Sequence, residues 1–171
     1  KTNFEISKKK IIKTSGCANG TIFDDIIEEI KEVKITSSIS LSSAEVFKLY
    51  KEINITPSLY LKSGAIHGCV LCSKNKTLAF FEDVGRHNAI DKLAGYMFLN
   101  NIKPQDKILY TTGRLTSEMV IKTIMMKIPI LASRSGYTAW GVDLAKKSDL
   151  TMLGRLRGRT FTILSGNNRI K

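Results

Sequence analysis

The sequence predicts an α/β domain in which helices cover a mixed sheet. Three observations predict it. From Lys107 onward, short apolar runs alternate with stretches of helical period, the pattern of strand–helix–strand units with parallel pairing. Before them, two strand-like runs, Ile66–Cys72 and Thr77–Glu82, are separated by Ser73-Lys74-Asn75-Lys76, which reads as an antiparallel hairpin. Ahead of the hairpin, Ser42 and Glu45 form a capping box, with Leu41 and Val46 placed for a hydrophobic staple.

The elements follow in order. The stretch from Lys1 to about Lys13 is basic and apolar by turns, and Thr14-Ser15-Gly16-Cys17-Ala18-Asn19-Gly20 suits a loop. Residues 21–41 alternate weakly and end serine-rich. The capping box opens a helix whose stripe is Val46, Leu49, Tyr50 and Ile53. After the hairpin, a helix is expected from about Arg86 to Asn100, with Ile90, Leu93, Ala94 and Met97 inward. Then come a strand at Lys107–Thr111, a helix at Thr116–Met126, a strand at Pro129–Ala132 and a helix at Thr138–Lys146. Strands at Leu150–Leu153 and Phe161–Leu164 close the chain. Right-handed crossovers put the loops after strands on one edge, where open α/β sheets bind ligands. Those loops are Asp83–Arg86, Thr112–Leu115, Ser133–Tyr137 and Gly154–Arg159. Two units are expected: an N-terminal segment, 1–41, with a mobile loop around Cys17, and an α/β domain, 42–171.

Composition narrows the class. At 171 residues the chain holds one domain with a real core. No apolar run approaches the ~18–20 residues that span a bilayer, and the first residues lack the apolar segment of a signal peptide. The chain does not begin with Met, so a piece of a longer protein is expected, with a cytoplasmic location and no membrane partner. The net charge of +12 favours an anionic partner, although lysines also serve solubility. Nucleic acid is disfavoured, because base stacking needs aromatics interleaved with cations and only Phe161 stands close to Arg155–Arg159.

Three cysteines, at 17, 69 and 72, do not make a disulfide framework. Cys17 sits among small residues that leave a thiol open. Its thiolate is the form that attacks a sulfane sulfur, and Lys8, Lys9, Lys10 and Lys13 precede it in sequence; an incidental cysteine at a turn is the alternative. Cys69-Val70-Leu71-Cys72 suggests zinc or redox chemistry, yet it reads as a strand, where residues three apart face opposite ways; both thiols are expected in core packing. Zinc deamination is excluded: His67-Gly68-Cys69 lacks the glutamate, and Cys69-Val70-Leu71-Cys72 lacks the preceding proline and follows too soon. No metal ligand set is expected. His67 either lines a pocket or is structural.

Three basic segments remain. In Phe81-Glu82-Asp83-Val84-Gly85-Arg86-His87-Asn88 a strand gives way to a helix whose first N–H groups can hold an anion. Arg86 and His87 suit phosphate there, and Asp83 either binds a nucleobase edge or caps the helix. Thr112-Gly113-Arg114 repeats the arrangement without the Gly-Lys-Ser/Thr ending of a Walker loop. Gly154-Arg155-Leu156-Arg157-Gly158-Arg159-Thr160 carries guanidinium forks suited to phosphates, and no acidic residue follows Asp149.

Taken together, Phe81–Lys92, Gly113-Arg114-Leu115-Thr116-Ser117-Glu118-Met119-Val120 and the stretch from Leu153-Gly154-Arg155 resemble the formate dehydrogenase accessory sulfurtransferases, the FdhD family. The resemblance runs from Thr14 to Ile170. It implies a three-layer, cytidine-deaminase-like α/β domain without deaminase activity. It implies a sulfurtransferase that accepts sulfur from a cysteine desulfurase as a persulfide on Cys17. The sulfur would pass to the molybdenum bis-guanine-dinucleotide cofactor, a bound substrate required for formate dehydrogenase activity. The family's persulfide loop is commonly Cys-Gly-x-Cys-Gly; Cys17 matches its first cysteine and Gly20 stands where the second would be. The cofactor-binding residues implied are Arg155, Leu156, Arg157, Gly158, Arg159 and Thr160, beside Asp83, Arg86, His87 and Arg114. Implied partners are the desulfurase, the formate dehydrogenase apoenzyme and a second copy in a homodimer. A non-catalytic chaperone holding the same cofactor is the alternative.

Overall fold

The computed structural model describes residues 11–13, 21–23, 30, 32–56, 58–74 and 76–171. Two short strands, β1 (Ile11–Lys13) and β2 (Thr21–Phe23), pair antiparallel as a ribbon. Cys17 and its loop lie outside the described residues.

The capping box opens the first helix as expected. In α1 (Ser43–Ile55) the Ser42 hydroxyl accepts from the Glu45 N–H at 3.2 Å, and the Glu45 carboxylate accepts from the Ser42 N–H at 2.8 Å. Two orphan donors at the helix start are thereby satisfied. Leu41 and Val46 share one hydrophobic cluster with Leu49 and Ile53. A five-residue helix, α2 (Leu59–Ser63), follows, held by the Glu82 carboxylate, which accepts from the Leu59 and Tyr60 N–H groups. The sequence gives α2 no apolar period, and its anchor lies on another element.

The sheet has six strands: β3 (His67–Ser73), β4 (Lys76–Asp83), β5 (Ile108–Thr111), β6 (Ile130–Ser133), β7 (Thr151–Arg157) and β8 (Thr160–Ser165). Their order is β4-β3-β5-β6-β7-β8. β5, β6 and β7 run parallel, and the outer pairings are antiparallel. The sheet is therefore mixed, with the expected parallel core. Between strands lie α3 (Arg86–Leu99), α4 (Ser117–Met125) and α5 (Ala139–Lys147). On α3 the buried face is Ala89, Ile90, Leu93 and Met97; Ala94 is only partly buried, one step off the expected stripe.

Two cores flank the sheet. One gathers α3, α4 and α5 on Cys69, Leu71, Leu109, Leu131 and Met152. The other gathers α1 on Val70, Cys72, Ile108, Tyr110, Ile130 and Leu153. Helix, sheet and helices make three layers. Ile30 and Ile35, ahead of the expected boundary at residue 42, pack into the first core.

One loop differs from expectation. The segment Gly154–Arg159 was expected as a mouth loop, but β7 runs on to Arg157 and only Gly158-Arg159 turn. The strand passes its neighbour β6 and survives because β8 pairs with it through a bulged register. The alternation at Cys69 and Cys72 holds: the first thiol lies in one core and the second in the other. Both residues are fully buried, and burial pushes each thiol up to about 12.

These two thiols are expected to resist iodoacetamide at pH 7.5 in the native protein and to react after unfolding in guanidinium. Peptide mass mapping reads the result, and rapid native labelling of Cys69 or Cys72 contradicts their burial.

Candidate functional site

The strand ends at one edge are tied by small hydroxyl groups. The Thr111 hydroxyl donates to the Gly68 carbonyl at 3.2 Å and accepts from the Gly113 N–H at 3.1 Å. The Gly68 N–H donates to the Thr112 hydroxyl at 2.9 Å. Ser133 and Ser135 donate to the carbonyls of Gly113 and Thr112 at 2.6 and 2.7 Å. The Arg155 N–H donates to the Ser135 carbonyl at 3.1 Å. Short side chains at strand ends thus fix three consecutive loops to one another, and buried backbone groups find their partners.

This lacework positions Arg86. The residue is the first of α3 and is 7% exposed. Gly113 lies against it: a Cβ built on Gly113 would stand 3.0 Å from Arg86 Cβ, 3.2 Å from Cδ and 3.5 Å from His67 Nδ1. A side chain at position 113 would press on Arg86 by a few tenths of an ångström. Among the described residues, the Arg86 Nε and Nη2 atoms have no hydrogen-bond partner, and neither has His67 Nδ1. Burying such groups is costly unless something pairs with them.

They border a cleft of about 490 Å³ lined by His67, Val84, Gly85, Arg86, His87, Asn88 and Arg114. Among the described residues, no carboxylate is in the lining. A larger hollow of about 680 Å³ at the opposite end of the sheet has Lys74 and Asp106 in its lining and lacks this run of cations. Burial and the nearby guanidiniums of Arg86 and Arg114 hold the His67 imidazole below its ordinary range. His87 is held low by burial and by Arg86, while Glu118 works the other way. Its Nε2 stands 3.1 Å from Glu118 Oε2, an ion-pair distance without hydrogen-bond alignment.

Asp83 takes the capping role. Its Oδ1 accepts from the Gly85 N–H at 2.9 Å and the Asn88 amide at 3.0 Å, and its Oδ2 meets Lys92 at 2.7 Å. These contacts hold its carboxyl down at about 2, with Lys92 the main cause. Asp83 therefore holds the turn into α3, while Arg86, His87 and Arg114 come together in the cleft. The start of a 14-residue helix beside a buried, unsatisfied guanidinium can hold an oxyanion.

The other basic segment stands apart. Arg155, Arg157, Gly158, Arg159 and Thr160 are exposed on the β7–β8 hairpin and do not line the cleft. Leu156 is 2% exposed and belongs to the core under α1, so its side chain anchors the hairpin and leaves the residue only its backbone to offer a ligand. The Arg155 guanidinium lies 5.5 Å from the centre of the Tyr137 ring, a stacking distance. Its backbone has φ +53°, an unfavourable region for a residue with a Cβ. Arg134 stands between the two surfaces, over the Tyr60 ring at 5.5 Å. The sequence leaves Gly113, Tyr60 and Tyr137 unassigned; a glycine following two threonines at a strand end was the available signal for the first. Among the described residues, no group of three metal-ligating side chains gathers, and no helix is long and apolar enough to cross a membrane.

A family model described as the FdhD/NarQ family matches residues 1–171. The chain is 32% identical over 157 residues to the sulfur carrier protein FdhD of Bacillus pumilus, covering 91% of this chain and 60% of that protein. It is 30% identical over 145 residues to the sulfur carrier protein FdhD of Bacillus subtilis, covering 84% of this chain and 55% of that one. The chain thus spans little more than half the length of these curated relatives. A crystal structure assigned to a formate dehydrogenase accessory protein of Desulfotalea psychrophila superposes with a TM-score of 0.77. It is 32% identical, over 94% of this chain and 71% of that one.

Gly113→Ala is expected to displace Arg86 and weaken pyrophosphate binding by about tenfold while the protein stays folded. Calorimetric titration of parent and variant checks this, and equal affinities would separate Gly113 from the site.

Proposed function

Because the chain belongs to the FdhD/NarQ family, we propose that it is a sulfur carrier whose Cys17 takes sulfur as a persulfide from a cysteine desulfurase. It passes the terminal sulfur to the molybdenum bis-guanine-dinucleotide cofactor that formate dehydrogenase needs. In the first step the Cys17 thiolate attacks the terminal sulfur of the desulfurase persulfide. A new S–S bond forms on Cys17, and the desulfurase cysteine leaves as its thiolate.

The observation that carries this reading is the fate of the other two thiols. Cys69 and Cys72 are sealed in the two cores, with burial pushing each up to about 12. A carrier must present a thiolate at neutral pH, and of the three cysteines in the chain only Cys17 remains for that role. The basic surfaces support the acceptor. The cofactor has two guanine dinucleotide arms, each with a pyrophosphate. The cleft at Arg86, His87 and Arg114 suits one arm, and the exposed hairpin of Arg155, Arg157, Gly158, Arg159 and Thr160 suits the other. Asp83 and Leu156 serve as supports for those two surfaces. The three-layer mixed sheet fits a cytidine-deaminase-like ancestry, with the anion cleft placed where two helices begin beside neighbouring strands. The apoenzyme of formate dehydrogenase is the proposed recipient of the sulfurated cofactor.

The test uses a cysteine desulfurase and ³⁵S-cysteine. One reducible label per chain is expected, on the Cys17 peptide, and Cys17→Ala is expected to lose at least nine-tenths of it. A variant labelled as fully as the parent overturns the assignment. If Cys17→Ala also restores formate dehydrogenase activity to a strain lacking the gene, the protein is a cofactor-holding chaperone instead.

A further inference from the structure

The cleft has an electrostatic property that the sulfur-carrier reading does not require. His67 stands at the start of β3, beside the guanidiniums of Arg86 and Arg114. Across the sheet its partner on β4 is Asp83, already committed to Lys92, Gly85 and Asn88. From α3 and α4 the further charged groups are His87, Glu118, Asp91 and Lys122, and these are arranged in pairs. His87 is 3.1 Å from Glu118, and Lys122 is 2.5 Å from Asp91. Among the described residues the carboxylates around the cleft are therefore occupied, while His67 Nδ1 and two Arg86 nitrogens face no partner.

We infer that His67 is a ligand-contacting residue of this cleft, and that a pyrophosphate seated on Arg86 binds together with one proton taken from solvent onto His67. The inference rests on the cofactor-pyrophosphate reading of the cleft and adds a specific residue and a pH dependence to it.

The physical argument is short. Without ligand, a proton on His67 would add a third positive charge beside Arg86 and Arg114, in a part-buried site where repulsion is poorly screened. The imidazole therefore stays neutral below its usual range. A pyrophosphate diester brings about two negative charges to the same place. It removes the repulsion and offers an acceptor to the unpaired ring nitrogen, so the protonated form becomes the favoured one. The sign follows. A pKa raised by the ligand means that affinity increases as pH falls, by up to about tenfold per unit. The gain occupies the interval between the liganded and the free pKa and levels off below the free one. His87 takes this part to a smaller degree, because Glu118 at 3.1 Å already offsets part of the repulsion in the free protein.

The chain has two histidines, so the two imidazole Cε1–H proton signals can be followed by NMR from pH 5.5 to 8.5. The probe is diguanosine pyrophosphate, whose diester phosphates do not titrate in that range. His67→Gln assigns the signals. The expected result is that the His67 midpoint rises by at least one unit on binding while His87 moves less. Calorimetry in buffers of different ionisation enthalpy should then show proton uptake by the parent and little uptake by His67→Gln. If the probe binds and the His67 midpoint stays put, or the uptake survives in His67→Gln, this inference fails and the cofactor reading stands. If the probe does not bind the parent at any pH, both fail. Should His67→Gln fold poorly, the parent's two titration curves with and without probe decide alone, the rising midpoint being assigned to His67 by its through-space contact with Gly113.

Discussion

Everything at the mouth of this domain depends on a guanidinium that is buried before it has a partner. Arg86 is 7% exposed and keeps two nitrogens unpaired among the described residues. A buried charge of this kind costs several kcal/mol when nothing answers it. The fold keeps it in place through packing and backbone ties. Gly113 gives its methylenes a seat that an added Cβ would crowd. Ser133 and Ser135 then lock the Gly113 loop by donating to the carbonyls of Gly113 and Thr112, while the Thr111 hydroxyl accepts from the Gly113 N–H and the Thr112 hydroxyl from the Gly68 N–H. Asp83 holds the turn that starts α3, so Arg86 cannot swing out with its helix end. The stability of three layers is used to hold one charge ready for an anion.

The surrounding electrostatics follow from the same constraint. Once Arg86 and Arg114 share a cleft with no lining carboxylate among the described residues, further cations beside them are unfavourable. The two histidines respond by staying neutral, and the acids close by are neutralised locally by Lys92 and Lys122. The exposed hairpin solves the opposite problem. Arg155 and Arg157 are in water, where charge is cheap, and the fold spends order on them instead. Arg155 lies along Tyr137 in a left-handed backbone conformation, and the Arg157 Nε–H donates to the Arg134 carbonyl at 3.2 Å. One basic surface is built around a buried arginine; the other is solvated and braced.

Much of this was legible in the sequence, for identifiable reasons. The capping box at Ser42, the hairpin around residue 74 and the parallel units after Lys107 rest on local rules of spacing and turn chemistry, and each appears where those rules put it. The opposed faces of Cys69 and Cys72 follow from strand period alone. What escaped was long-range. The extension of β7 to Arg157 needs β8 beside it, α2 needs Glu82 from a strand some twenty residues on, and the burial of Leu156 needs α1. The choice between ligand and cap for Asp83 likewise required seeing Lys92 and Asn88 close around it. Position within a segment announced a basic mouth; it did not say which arginine would be desolvated.

The partition of the thiols carries the final step. A sulfur carrier has to keep its working thiol reactive without exposing spare thiols to the same persulfide chemistry. Strand geometry does this at no cost to the core. Alternation sends Cys69 under α3 and α4 and Cys72 under α1, and each packs as a small apolar side chain. Burial disfavours either thiolate far beyond neutral pH, so neither is poised as a nucleophile however close it lies in sequence to the cleft residue His67. A motif that suggests metal or redox chemistry when read as letters is, once folded, a pair of buried side chains in two separate cores, which in the sulfur-carrier reading keeps both thiols out of the transfer.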